Sequence, residues 1–63
     1  MGLPLGAHIY IVGNHPWADC AGVIVAYEYN EALDRFGARV HLDDENIDVM
    51  VWRRCQLRTI PEE

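Results

Sequence analysis

The stretch Gly6-Ala7-His8-Ile9-Tyr10-Ile11-Val12 (GAHIYIV) decides how this chain is read. Ala7, Ile9 and Ile11 fall on one side and His8, Tyr10 and Val12 on the other, a period of two residues that belongs to a β-strand, whose successive Cβ atoms point to opposite faces. Gly13-Asn14-His15-Pro16 follows with turn chemistry: Gly and Asn tolerate positive φ and Pro lacks the N–H that a ladder needs. A loop is therefore expected to run to about Ala21.

The same alternation recurs downstream. Gly22 opens a second expected strand, Val23 to Tyr29, with Ile24 and Ala26 inward and Val23, Val25 and Tyr27 outward. Residues Asn30 to Gly37 contain the helix formers Glu31, Ala32 and Leu33 but are too few to sustain a helix, so they read as a loop with at most one helical turn, ended by Gly37. A third strand, Ala38 to Leu42, places Val40 and Leu42 inward and Arg39 and His41 outward. Asp43-Asp44-Glu45-Asn46 then supplies a polar hairpin turn. In the fourth strand Ile47, Val49 and Val51 alternate with Asp48, Met50 and Trp52. Arg53 to Gln56 read as one tight turn before a last strand, Leu57 to Ile60, and Pro61-Glu62-Glu63 as a frayed end.

Five short strands in 63 residues predict an all-β chain and one domain spanning residues 1–63. An open sheet this small cannot cover its own edges, so curling into a five-stranded barrel of the SH3-like kind is the expected architecture. The inward set, Ile9, Ile11, Ile24, Val40, Leu42, Val49 and Val51, is the expected core. Tyr10, Val12, Val23, Val25, Tyr27, Met50 and Trp52 are left outside, more apolar surface than a soluble monomer usually exposes. A covering partner is implied, either another protein or a second copy of this chain. The alternatives are that the loop Asn30 to Gly37, through Leu33 and Phe36, folds back over part of this surface, or that the facing is reversed on one strand.

Composition narrows the classes. Half of the residues (51%) are hydrophobic, which is the make-up of a folding domain and not of a disordered tail. Five arginines and no lysine stand against ten acidic residues, and the net charge of −5 repels phosphate at long range. Nucleic-acid binding is thereby disfavoured but not removed, because Arg53, Arg54 and Arg58 lie close together in sequence. No apolar run approaches the roughly 20 residues needed to span a bilayer, and the opening residues lack a signal-peptide pattern, so a cytoplasmic protein without membrane contact is expected. Met1-Gly2 begins like a myristoylation signal, but Gly6 stands where that signal wants Ser or Thr.

The order Gly6, Ile9, Ile11, Gly13, then PWADCAG from Pro16 to Gly22, then Ile24, resembles the KOW motif of NusG-type elongation factors and some ribosomal proteins. That resemblance covers about a third of the chain. It implies a motif spanning the first two strands of an SH3-like barrel, with an aromatic usual at the Trp17 position and glycine at the Gly22 position, and a domain that binds RNA or other proteins. Two departures are visible: the chain is acidic where RNA-binding members are commonly basic, and Ala7 stands where Asp is frequent. A weaker resemblance, through Trp17, Gly22, Tyr27 and the run Val49 to Trp52, is to the type II dihydrofolate reductases, SH3-like barrels whose fourth strand lines a tetramer pore. Met50-Val51-Trp52 replaces the Gln-Ile-Tyr arrangement of that family, so its chemistry is not implied.

No catalytic constellation emerges from the residues. There is no serine, no phosphate-binding glycine loop and no CxxC pair, and the expected function is non-enzymatic, with neither cofactor nor metal. His8, His15 and His41 read as solvated, Cys20 and Cys55 as two small buried thiols, with a bridge between them or redox chemistry as the alternatives. A Cys20–His15 nucleophile pair would require favourable loop geometry and a third group to orient the imidazole. Asp43, Asp44, Glu45 and Asp48 lack the register and glycine of a calcium loop. The expected function is a binding module acting through protein contacts and self-association, with Tyr10, Val23, Val25, Tyr27, Met50 and Trp52 at the interface. Two alternatives stand beside it: RNA binding through Trp17, Arg53, Arg54 and Arg58, and a small-ligand enzyme formed in an oligomer pore.

Overall fold

A computed structural model of the chain describes residues 2–61. Met1 and the last two residues of the expected frayed end lie outside them. The chain is all-β, with strands β1 (His8–Ile11), β2 (Ala21–Asn30), β3 (Arg35–Leu42), β4 (Asp48–Val51) and β5 (Leu57–Thr59), and one 3₁₀ turn, Arg54–Gln56, before β5. They form a single antiparallel sheet in the order β4-β3-β2-β1-β5.

The alternation read from the sequence sets the inner face. Ile9, Ile11, Ile24, Val40, Leu42 and Val51 are fully buried, and Ala38 and Leu57 complete the core. Val49 is half-buried against it, while Ile47, expected within the fourth strand, precedes β4 and is exposed, because the chain is still leaving the turn at that point. The β1–β2 loop is closed at its base by Ile11 N–H to Cys20 O (2.9 Å) and Asp19 N–H to Ile11 O (2.6 Å). Gly22 lies where β3 runs close: a Cβ there would meet the His41 carbonyl oxygen at 2.5 Å.

Two expectations are corrected. First, Tyr27 packs against the core and Ala26 does not share the face of Ile24. A register shift between Ile24 and Ala26 sets an extra residue in β2 opposite β3, so Ile24 pairs with Val40 but Tyr27 pairs with Ala38, and the alternation is inverted beyond the bulge. The Tyr27 hydroxyl donates to the Leu3 carbonyl at 2.7 Å, which satisfies its polar end. Second, residues Asn30 to Gly37 are not a loop ended by glycine. β2 and β3 continue as a ribbon through Tyr29↔Phe36 to Asn30↔Arg35, closed by a turn at residues 31–34. Leu33 N–H to Asn30 Oδ1 at 3.0 Å and Asp34 N–H to Glu31 O at 3.2 Å hold that turn.

This ribbon projects beyond its neighbours. β1 pairs with β2 only over Ala21 to Val23, and β4 pairs with β3 only from Ala38 onward, so the far end of β2–β3 has no flanking strand among the described residues. We call it the arm. Its Leu33 (49%), Phe36 (55%) and Tyr29 (50%) are exposed, and they do not fold back over the sheet.

Candidate functional site

Gly37 explains where the site forms. It sits inside β3, where a glycine signals that another group approaches closely. The group is the Trp52 indole, whose ring carbons would clash with a Cβ at this position. With Trp52 laid across β3 at the root of the arm, the chain turns through Arg53 into the 3₁₀ turn, and a shallow groove of about 380 Å³ opens between arm and turn. Arg35, Phe36, Trp52, Arg53 and Arg54 line it. Asp34 is also present, its carboxylate accepting the Tyr29 hydroxyl, and that bond holds the phenol above its ordinary pKa.

The charge of the groove is set by what its arginines lack. Among the described residues the ion pairs are Arg39 with Glu28, Arg39 with Asp48 (3.8 Å) and His41 with Asp48 (2.7 Å); Arg35, Arg53 and Arg54 are in none of them. Arg54 Nη1 donates to the Leu57 carbonyl at 2.7 Å, which fixes the side chain near the 3₁₀ turn without neutralising it. Three guanidiniums thus share a groove with two aromatic rings. A second hollow, lined by Gly13, Asn14 and Gln56, meets the first at Arg53 and Cys55.

The opposite end of β3–β4 is acidic. Asp43, Asp44 and Glu45 are exposed in the turn, and the charges of Asp44 and Glu45 converge with that of Asp19 around the Cys20 thiol. Burial first, and then the Glu45 carboxylate, push that thiol above its ordinary pKa, which makes it a poorer nucleophile. Cys20 and Cys55 are unpaired. Cys20 is half-buried and Cys55 is exposed on the 3₁₀ turn, so the expectation of two buried thiols holds for neither in full.

The expected interface residues do not form one patch. Tyr10 and Val25 are the only two with more than a third of their surface exposed, each at 43%. Val23 lies between His8 and His41 in the ladder and Met50 lies opposite Arg39, so polar neighbours interrupt the outer face. Exposed apolar side chains also gather on the arm, at Tyr29, Leu33 and Phe36, while Leu5 and Ile47 are exposed elsewhere. Of the expected RNA contacts, Arg53 and Arg54 meet Trp52 in the groove, whereas Trp17 packs against the core and Arg58 lies on β5 opposite Tyr10.

Two histidines make hydrogen bonds through both ring nitrogens, His15 half-buried and His41 with a side chain still partly in water. His15 Nδ1 accepts the Trp17 N–H at 3.0 Å, which leaves the proton on Nε2, 3.0 Å from the Met50 carbonyl. No imidazole nitrogen remains for Cys20, and the Cys20–His15 pair does not form. His41 faces Asp48 Oδ1 through Nδ1 (2.7 Å) and Asn46 Oδ1 through Nε2 (3.0 Å). Two oxygen acceptors favour the doubly protonated ring, and the Asp48 bond is the main cause that raises its pKa. Among the described residues no group of three His, Cys, Asp or Glu is placed to hold a metal ion, and no helix is long and apolar enough to cross a membrane.

Arg35 and Phe36 are the site residues that the sequence reading missed. The signal was present: Phe36, Ala38, Val40 and Leu42 alternate in one unbroken run that starts before Gly37. No family model, curated protein or solved structure matches this chain.

Proposed function

We propose that this chain is a non-enzymatic binding module on an SH3-like small barrel of the KOW kind, working through protein contacts and associating with itself. The barrel reading is supported by the strand order, with β1 between β2 and β5, by one core on one face, and by the β2 bulge that lets a sheet coil. The KOW reading is supported by Trp17 against the core and by Gly22 at a close strand crossing.

One observation carries the function: three exposed apolar side chains, Tyr29, Leu33 and Phe36, sit together on the arm, beside a groove lined by two aromatic rings and by three arginines that are in no ion pair among the described residues. Aromatic and arginine side chains are the groups enriched where proteins bind one another. His15 and His41 are engaged through both ring nitrogens. Native mass measurement over a range of concentrations tests the reading. Growth of assembled species with concentration is expected, and a strict monomer at the highest concentration overturns it.

A second reading, RNA binding, is favoured by the same groove, because rings that stack bases beside guanidiniums that hold phosphates are the equipment of single-strand binders. Titration with single-stranded RNA at two salt concentrations separates the two. Binding that weakens steeply with salt supports RNA, and none at low salt removes it.

A further inference from the structure

The geometry points to a second copy of this chain as the occupant of the groove, inserted through its acidic β3–β4 turn. This deepens the self-association reading above and rests on it. Both parts are on the same hairpin. β3 begins at Arg35, in the groove, and ends at Leu42, where the turn starts. Seven residue steps at about 3.3 Å put the two roughly 23 Å apart, too far for the turn to reach the groove of its own molecule.

The two surfaces match in kind. The groove offers the guanidiniums of Arg35, Arg53 and Arg54 beside the rings of Phe36 and Trp52, three cations against the single carboxylate of Asp34 in its lining. The turn offers the carboxylates of Asp43, Asp44 and Glu45, none in an ion pair among the described residues, followed by the exposed side chain of Ile47. Guanidinium with carboxylate gives charge-assisted hydrogen bonds, and an exposed isoleucine beside aromatic rings removes apolar surface from water. A net charge of −5 makes any other approach of two copies repulsive at long range, so this orientation is also selected electrostatically.

The contact is heterologous, one end of a molecule against the other end of the next. Such contacts close into rings or run on as chains, and they do not stop at a two-fold dimer. A groove this shallow seats a turn and not a domain, so the assembly is weak, and screening of its ion pairs is expected to raise the association midpoint about tenfold or more between low salt and about 0.5 M.

A charge-exchange experiment decides the point, read by sedimentation velocity with circular dichroism as the folding control. One variant carries Asp43→Lys, Asp44→Lys and Glu45→Lys, the other Arg35→Glu, Arg53→Glu and Arg54→Glu. Each alone presents like charges at turn and groove and is expected to lose the assembly seen with the unmodified chain. Mixed in equal amounts they present opposite charges and are expected to regain it, a rescue that misfolded variants would not give. Unmodified chain that assembles while the two variants also assemble alone overturns the turn-in-groove contact and leaves self-association standing. Folded variants that stay apart on mixing overturn it as well. Unmodified chain that is monomeric at low salt and high concentration overturns both readings together, and assembly only when RNA is added transfers the groove to the nucleic-acid reading.

Discussion

The half of β2–β3 flanked by β1 and β4 and the arm that continues from it are the same two strands in different surroundings. In the flanked half, Ile24 and Val40 face each other across the ladder and neither is reached by solvent. In the arm, Tyr29 and Phe36 face each other in the same way, rings 5.2 Å apart at 63°, and each keeps half or more of its surface in water. The alternation that makes a core where neighbouring strands close it leaves an open apolar surface where they stop. The difference teaches that the arm is not held by burial of its own side chains, which leaves those side chains free for a partner.

Substitution in the two halves should therefore diverge. Ile24→Ala empties a fully buried site and is expected to cost about 2–5 kcal/mol. A chain of this size holds only roughly 3–9 kcal/mol in all, so a large loss of folded population by urea denaturation is expected. Wild-type stability in this variant would break the comparison at its stronger end. Gly37→Ala, at the boundary, drives a methyl group into the Trp52 ring and is expected to cost about 1–3 kcal/mol, with a shift in tryptophan fluorescence as the indole leaves β3. Unchanged emission and stability would mean that Trp52 does not rest on Gly37.

Phe36→Ala removes one ring of the arm pair and is expected to change stability by no more than about 1 kcal/mol, the scale of an exposed cross-strand pair, while weakening association. A loss as large as that of Ile24→Ala would show the arm to be part of the folding core. The smallest effect is at His41. Its pKa is raised in the folded chain, first by the Asp48 bond, so its contribution is fully present below the ordinary value of 6.5 and is lost as pH rises through the raised one. A slight fall in melting temperature across that window is expected, absent in Asp48→Asn; an equal fall in both would assign it to another group.

The flanked half was legible in the sequence because period-two alternation is a strong local signal. Ile9, Ile11, Ile24, Val40, Leu42 and Val51 occupy the inner face as alternation predicts. The tight turn ahead of β5 and the polar turn after β3 were legible for the same reason, since their chemistry is local. The bulge was not. One extra residue opposite β3 leaves no trace in composition, and it inverted the facing of Tyr27 and with it the expected outer apolar layer. Gly37 was misread because a glycine after Glu31-Ala32-Leu33 looks like a stop signal, whereas its cause, the Trp52 ring, is fifteen positions away in sequence. The groove was half legible: Trp52, Arg53 and Arg54 are neighbours in the chain, but Arg35 and Phe36 reach them only through the β3–β4 pairing.

The contact proposed above lies at the arm and its groove and not on the outer face of the sheet. Backbone amide shifts followed through a dilution series at low salt test it most directly. The account predicts concentration-dependent shifts confined to residues 29–37, 52–56 and 43–47, fading as salt is added. Shifts centred on Tyr10 and Val25, with the arm and groove unmoved, would contradict it.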